Sequence, residues 1–338
     1  MRKLVAVLGI LSAAAWVLRS LGFRFGRPPQ PPPVPPQHEL YVVDMGGNRI
    51  FCFEIRSNGV VASTPWRIID GFNSPIVELV NPFDIAVTPA GEMWVANLGS
   101  TPGSSSDASI TIYDPNAVGA VAPTFKILPI ADAFGPPIAK PVALVWRNAP
   151  ANILILDATR TEVTEYTKSQ QSTASVFGLG TPGGLALTAS ATLYISDQTP
   201  GENAIRLLNL QPNVFGQSAS VGITGPLTGL NNPAHLALDR HNNIYVVNRG
   251  TMHLNMQDAS VSVFPAGATG NVAPVQSIRG PNTQLVEPYG IAVDQGGRIF
   301  VTKARSVLVF AAGASGNIAP EQVIEHPEFA NLIGIEVR

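Results

Sequence analysis

The chain has 338 residues, 45% of them hydrophobic, with a formal net charge of -2; it is long enough to bury a substantial core and too apolar to be intrinsically disordered. Only 13% of residues are charged, with no long run of one sign, so the electrostatic footprint of a nucleic-acid binder is missing and neither DNA nor RNA is expected as a partner. With 31 Gly and 30 Pro, the composition points to many short strands joined by turns.

In chain order, residues 1–26 read as a signal peptide or membrane anchor. MRK supplies a positive start, Leu4–Leu18 is apolar, and Ala13 and Ala15 form a small-residue cleavage site. The apolar stretch of 15 residues is shorter than the roughly 20 needed to span a bilayer, which favours a cleaved signal. The product is expected to be exported: periplasmic, extracellular or membrane-anchored facing outward, touching a membrane only through an uncleaved N-terminal segment. Residues 27–38, with RPPQPPPVPPQ, read as a stiff polyproline II spacer. The folded domain is placed at 39–338. Cys52 is the single cysteine, so no internal disulfide supports the fold, and within FCF it reads as a small buried hydrophobe.

Three windows then align without a gap: ITIYDPNAVGAVAPTFKI from Ile110, VSVFPAGATGNVAPVQSI from Val261 and VLVFAAGASGNIAPEQVI from Val307. The last two agree at 12 of 18 positions. Two further words precede each, as in NPFDIAV and EMWVAN, NPAHLALD and NIYVVN, or EPYGIAVD and RIFVTK, with weaker copies in mid-chain. Markers at Pro82, Pro141, Pro182, Pro233, Pro288 and Leu332 give a mean period of 50 residues. Each unit reads as a four-stranded antiparallel meander, strands a to d. LYVVDMGGNRIFCFEI, from Leu40, holds the second and third words without the first, whereas IGIEVR at the end holds the first alone. The expectation is an all-β, six-bladed β-propeller of four-stranded antiparallel blades, closed by the C-terminal strand pairing with the N-terminal strands. It is expected to be monomeric.

The phrase P-x-G-I-A-V-D, followed by I-Y-V-A-D/N and I-x-V-F, resembles the NHL-repeat class of six-bladed propellers from about Leu40 to the end. That resemblance implies either of two functions, because the class includes protein-interaction domains while related propellers include a peptidyl-hydroxyglycine lyase, gluconolactonases and an antibiotic lyase.

In such a meander the d-to-a and b-to-c connections share one face, and variation marks the working side. The a-to-b turns (TPAGE, DRHNN, DQGGR) and the GATGN and GASGN phrases between c and d are uniform. The links Asn97–Ser109 and Asn248–Ser260 are long, equal in length, and belong to the opposed second and fifth blades. Asn97, Asp107, Asn248, Arg249, Asp258 and Tyr289 are therefore expected to bind a protein, peptide or glycan at the channel mouth. At the glycine position of P-x-G the units carry Asp84, Ala143, Gly184, His235, Gly290 and Gly334. Asp84 and His235 are the candidate acid/base or metal pair, with a water-lined structural role as the blander reading. No cofactor is expected outright, and a divalent ion, Ca or Zn, in the central channel belongs to the enzyme reading. The lyase resemblance implies a metal-binding histidine beside the Pro, one place before His235; the gluconolactonase resemblance implies oxygen ligands, for which Asp84, Asn97 and Asn248 would have to serve. The series Asp44, Asn97, Asp157, Asp197, Asn248 closing strand b reads as turn-forming side chains. Lys303, which breaks it, is expected to pair with Asp44.

Overall fold

A computed structural model describes residues 36–100, 107–128, 138–169, 172–251 and 258–338. The expected signal or anchor segment and most of the proline-rich linker lie outside the described residues. The first described strand starts at Glu39.

Six sheets form, and the inner strand of each touches the next around a closed ring. The first is composite: Leu332–Val337 lies innermost, followed outward by Glu39–Asp44, Arg49–Glu54 and Arg67–Asp70. Blade 2 runs Pro82–Val87, Met93–Asn97, Ser109–Tyr113, Phe125–Ile127, and blade 5 runs Pro233–Leu238, Ile244–Asn248, Ser260–Phe264, Gln276–Arg279. Blades 3, 4 and 6 begin at Pro141, Pro182 and Ile291. All pairings within the six meanders are antiparallel. Blade 3 gains a fifth, parallel strand, Gln217–Ser218, from the c-to-d link of blade 4.

The alternation of each word puts apolar side chains on both sheet faces, so the core is six layers, one between each pair of neighbouring blades. Cys52 lies in the layer between blades 1 and 2, fully buried, and burial pushes its thiol up to about 12, which removes thiolate reactivity. Trp94, buried between blades 2 and 3, stacks obliquely on Trp146 at 5.6 Å.

The GATGN and GASGN turns do more than reverse the chain. Gly270 and Gly316 take positive φ of 76° and 82°, as tight turns demand. Each also forms a parallel bridge to the outer strand of the preceding blade, Gly270 to Ile223 and Gly316 to Ile278; Gly119 does the same to Ile69. The following Asn271 and Asn317 accept the amides of Leu227 and Asn282 at 2.8 Å. Between blade 6 and blade 1 a side chain replaces this glycine strap: the Gln322 amide accepts from Val61 N (3.0 Å) and donates to Val61 O (2.8 Å).

Candidate functional site

The residue after strand b bonds back to the segment before strand a in blades 1 to 5. Examples are Leu98 N to Asn81 O, 3.1 Å, Arg249 N to Asn232 O, 3.1 Å, and Met45 N to Asn331 O, 2.9 Å. These bonds put the b-to-c and d-to-a links on one face, as the meander requires. The residues closing strand b anchor this junction. Asp44 accepts Gly47, Ala330 and Asn331 amides, Asp157 accepts Ala139 and Lys140, and Asp197 accepts Thr181. Asn97 and Asn248 belong to the same series. Asn97 accepts Val80 N and donates to Val95 O and Thr111 Oγ1, and Asn248 accepts Asn231 N and donates to Ser260 and Ser262. Both are fully buried and occupied by the frame. Lys303 does not pair with Asp44 among the described ion pairs; that carboxylate is spent on three backbone amides, and in blade 6 Thr302 takes over, accepting Gly290 N and donating to Ile333 O.

Strand a opens with a register shift in blades 2 to 5, between Pro82 and Asp84, Pro141 and Ala143, Pro182 and Gly184, and Pro233 and Leu236. A bulge re-aims the side chain it carries. Here it turns Asp84 and His235 toward each other across the ring, His235 Nε2 lying 3.6 Å from Asp84 Oδ2. The ring is narrow at this level. A Cβ on Gly184 would lie 2.8 Å from His235 Cα, and one on Gly334 would lie 2.7 Å from Asp84 Cα. Asp84 is 2% and His235 8% exposed. Asp84 Oδ2 also accepts Leu144 N at 2.8 Å, while neither His235 ring nitrogen has a hydrogen-bond partner.

Around the same end of the ring, aromatic and apolar side chains come together. Phe83 meets Tyr289 edge to face at 5.2 Å, and Arg249 lies over the Tyr289 ring at 5.3 Å. Met45 and Leu98 from the b-to-c links, with Ile333, join the same apolar cluster. Tyr289 and Arg249 thus come together. Burial, ahead of the charge of Asp84, raises the Tyr289 phenol well above its ordinary range, so it is a neutral hydroxyl. Asp107 and Asp258 sit at the necks of the two long loops. Asp107 accepts Ser100 N at 2.7 Å and its hydroxyl, and Asp258 accepts Thr251 N at 3.0 Å and its hydroxyl. Each closes its loop at the base.

Sequence reasoning missed Glu336. It occupies the place taken by Ala86, Val145, Ala186, Ala237 and Ala292 in the other units, and it lines a cavity of about 260 Å³ with Leu144, Leu185, Leu236 and Ile291. Burial, reinforced by Asp84, pushes its carboxyl up to about 8. The signal was available as the one acidic residue in that column.

Three clustered ligands are the usual requirement for a catalytic zinc. Among the described residues no group of three or more His, Cys, Asp or Glu is close enough to hold a metal ion. Asp84 and His235 supply two donors, and the oxygen-ligand alternative loses Asn97 and Asn248 to the frame.

No protein-family model matches the chain, and no curated protein matches it. Solved structures do. A chain from a nidogen/laminin complex aligns with TM-score 0.65 at 13% identity, covering 89% of this chain and 98% of that one. A protein of unknown function from Bacteroides caccae gives 0.58 at 10% identity, covering 90% and 99%. This chain is a six-bladed β-propeller. A streptogramin B lyase aligns more loosely, with TM-score 0.49 at 13% identity over 86% of this propeller and 75% of that chain.

Proposed function

We propose that the protein is an exported, NHL-type propeller that serves as a binding scaffold, holding a protein, peptide or glycan against the face that carries the long loops. The observation that carries this reading is the burial of the candidate pair, Asp84 at 2% and His235 at 8% exposure. Among the described residues this face presents the necks at Ser100 and Thr251, and d-to-a turns bearing Phe72, Ile76 and Leu227 at 53%, 56% and 61% exposure. Exposed apolar residues around a polar ring are the composition of a recognition surface. The nidogen/laminin complex, in which a propeller of the same fold takes part, adds support. Export rests on residues 1–26.

The second reading, a metal-assisted lyase or lactone hydrolase, is favoured by one observation, the unpartnered His235 nitrogens facing Asp84. One pair of experiments separates them. Photo-crosslinkers at positions 100 and 251 should capture a partner from the exported fraction, while one at position 296 on the opposite face should not. Equal capture from all three would sink the scaffold. Stoichiometric zinc or calcium in purified protein, lost in His235→Ala, would establish the enzyme.

A further inference from the structure

The repeats act as internal controls for one another, and one inter-blade junction differs from its copies. Between blades 4 and 5, on the loop side, lies a crevice of about 830 Å³. In the corresponding place of blade 2, Glu78 from the preceding turn and Lys126 of strand d fill the space with an ion pair at 2.6 Å. In blade 6 the matching positions hold Gln284, Leu308 and Val323. At the 4/5 junction they are Gly229, Ser262 and Ser277, which leave it open.

What lines the opening is specific. Ser260 and Ser262 alternate on strand c, with Arg279 and Ser277 directly opposite them on strand d, so four side chains form a square on one sheet face. Ser260 and Ser262 are 6% and 1% exposed. Both hydroxyl oxygens accept from Asn248 Nδ2, at 3.2 and 3.1 Å, which leaves each hydroxyl proton to be donated. Asp258 Oδ1 is buried and has no partner. Pro226, Leu227 and Pro274 supply an apolar border.

We propose that this crevice binds a neutral, polyhydroxylated ligand, a saccharide. Serine hydroxyls and the Arg279 guanidinium donate to sugar oxygens, Asp258 Oδ1 accepts from a sugar hydroxyl, and the apolar border covers ring C–H groups. One Asp and one Arg give the lining no net charge, and the free carboxylate oxygen repels a phosphate or sulfate. The crevice adjoins the rim at Leu227 and Asp258 and adds Ser260, Ser262, Ser277 and Arg279, so this inference extends the rim scaffold and is tested apart from it by the variants below.

The test is an NMR titration with a panel of neutral monosaccharides and disaccharides, and with inorganic phosphate as the anionic contrast. At least one neutral sugar should shift the amides of Ser260, Ser262, Ser277 and Arg279, with a Kd on the order of 1 mM, and phosphate should not. The double variant Gly229→Glu with Ser277→Lys rebuilds the blade 2 plug. Gly229 has φ 64° with nothing within 4 Å of an added Cβ, and Glu78 adopts φ 55° in the parent repeat, so the backbone accepts the change. Binding should fall at least tenfold while cross-linking from positions 100 and 251 persists. Ser262→Leu, which copies Leu308, gives an independent block should the double variant fail to fold. The proposal is overturned if no neutral sugar moves those amides, if phosphate displaces the sugar, or if the filled crevice binds equally well.

Discussion

Blades 2 and 5 stand opposite each other and share one plan. Each has a long b-to-c loop closed at its neck by Asp107 with Ser100 or by Asp258 with Thr251. Each has a buried Asn97 or Asn248 tying the end of strand b to the turn before strand a. They differ in Asp84 against His235, Phe83 against Ala234, Leu98 against Arg249, and the Glu78–Lys126 pair against Gly229 and Ser277. The lesson is that repeated positions carry hydrogen bonds and core contacts, whereas chemistry resides in positions that break the repeat.

The largest expected effect removes what holds the two blades opposite each other. Deleting residues 332–338 strips the inner strand of blade 1 and its buried Leu332, Ile333 and Ile335. At about 1.5–3 kcal/mol for each buried side chain, the loss rivals the whole stability of an ordinary domain, roughly 5–15 kcal/mol. Cooperative thermal unfolding followed by circular dichroism should disappear; an unchanged Tm would refute the closure.

Next, the shared frame should respond equally in both blades. Asn97→Ala and Asn248→Ala each break three hydrogen bonds, two of them buried, at about 1–3 kcal/mol per group left unsatisfied. Denaturant titrations giving a large cost in one blade and none in the other would break the equivalence. At the divergent pair the costs should differ. Asp84→Asn retains an acceptor for Leu144 N whereas Asp84→Ala orphans it, so Ala should cost about 1–3 kcal/mol more than Asn in the same titration.

Glu336 adds a pH dependence. Its folded carboxyl titrates near 8, above its unfolded value of about 4.5, so the folded state holds a proton that the unfolded state releases across that interval. This group's stabilising contribution is complete below the lower value and falls away as pH rises to the upper one. Glu336→Gln should therefore raise Tm at pH 8 and leave it nearly unchanged near pH 4.5; a gain independent of pH would contradict the burial. The smallest effect belongs to Lys126→Ala. The ion pair with Glu78 is partly exposed on both sides, so its removal should cost no more than about 1 kcal/mol while opening a crevice in blade 2 that a crystal structure of the variant would reveal.

Blade number, strand order and ring closure were legible because Pro, Gly and the alternating words recur at one period. Asp84 and His235 were legible as the ionisable members of an otherwise apolar column, and their proximity followed once the ring was assumed. The contact of Phe83 with Tyr289 was hidden, because it joins blades 2 and 6, far apart in sequence. Asp107 and Asp258 were legible as polar residues of the long loops, whereas the hydroxyls they fasten, on Ser100 and Thr251, were not. Lys303 was misread because Asp44 faced backbone amides, which leave no trace in side-chain patterns. The crevice required comparison across three blades of residues from two separate strands and a turn.

The glycine straps impose an order in time. Each clasps the outer strand of the blade made before it, so a newly synthesised blade keeps a bare hydrogen-bonding edge until about one repeat more of chain has emerged. Strand edges of that kind are where chains adhere to one another. Such straps reach back onto blades 1, 4 and 5, and blade 6 is followed around the ring by the oldest strands of the chain. There the Gln322 side chain reaches back to Val61, sealing the youngest edge against the oldest blade.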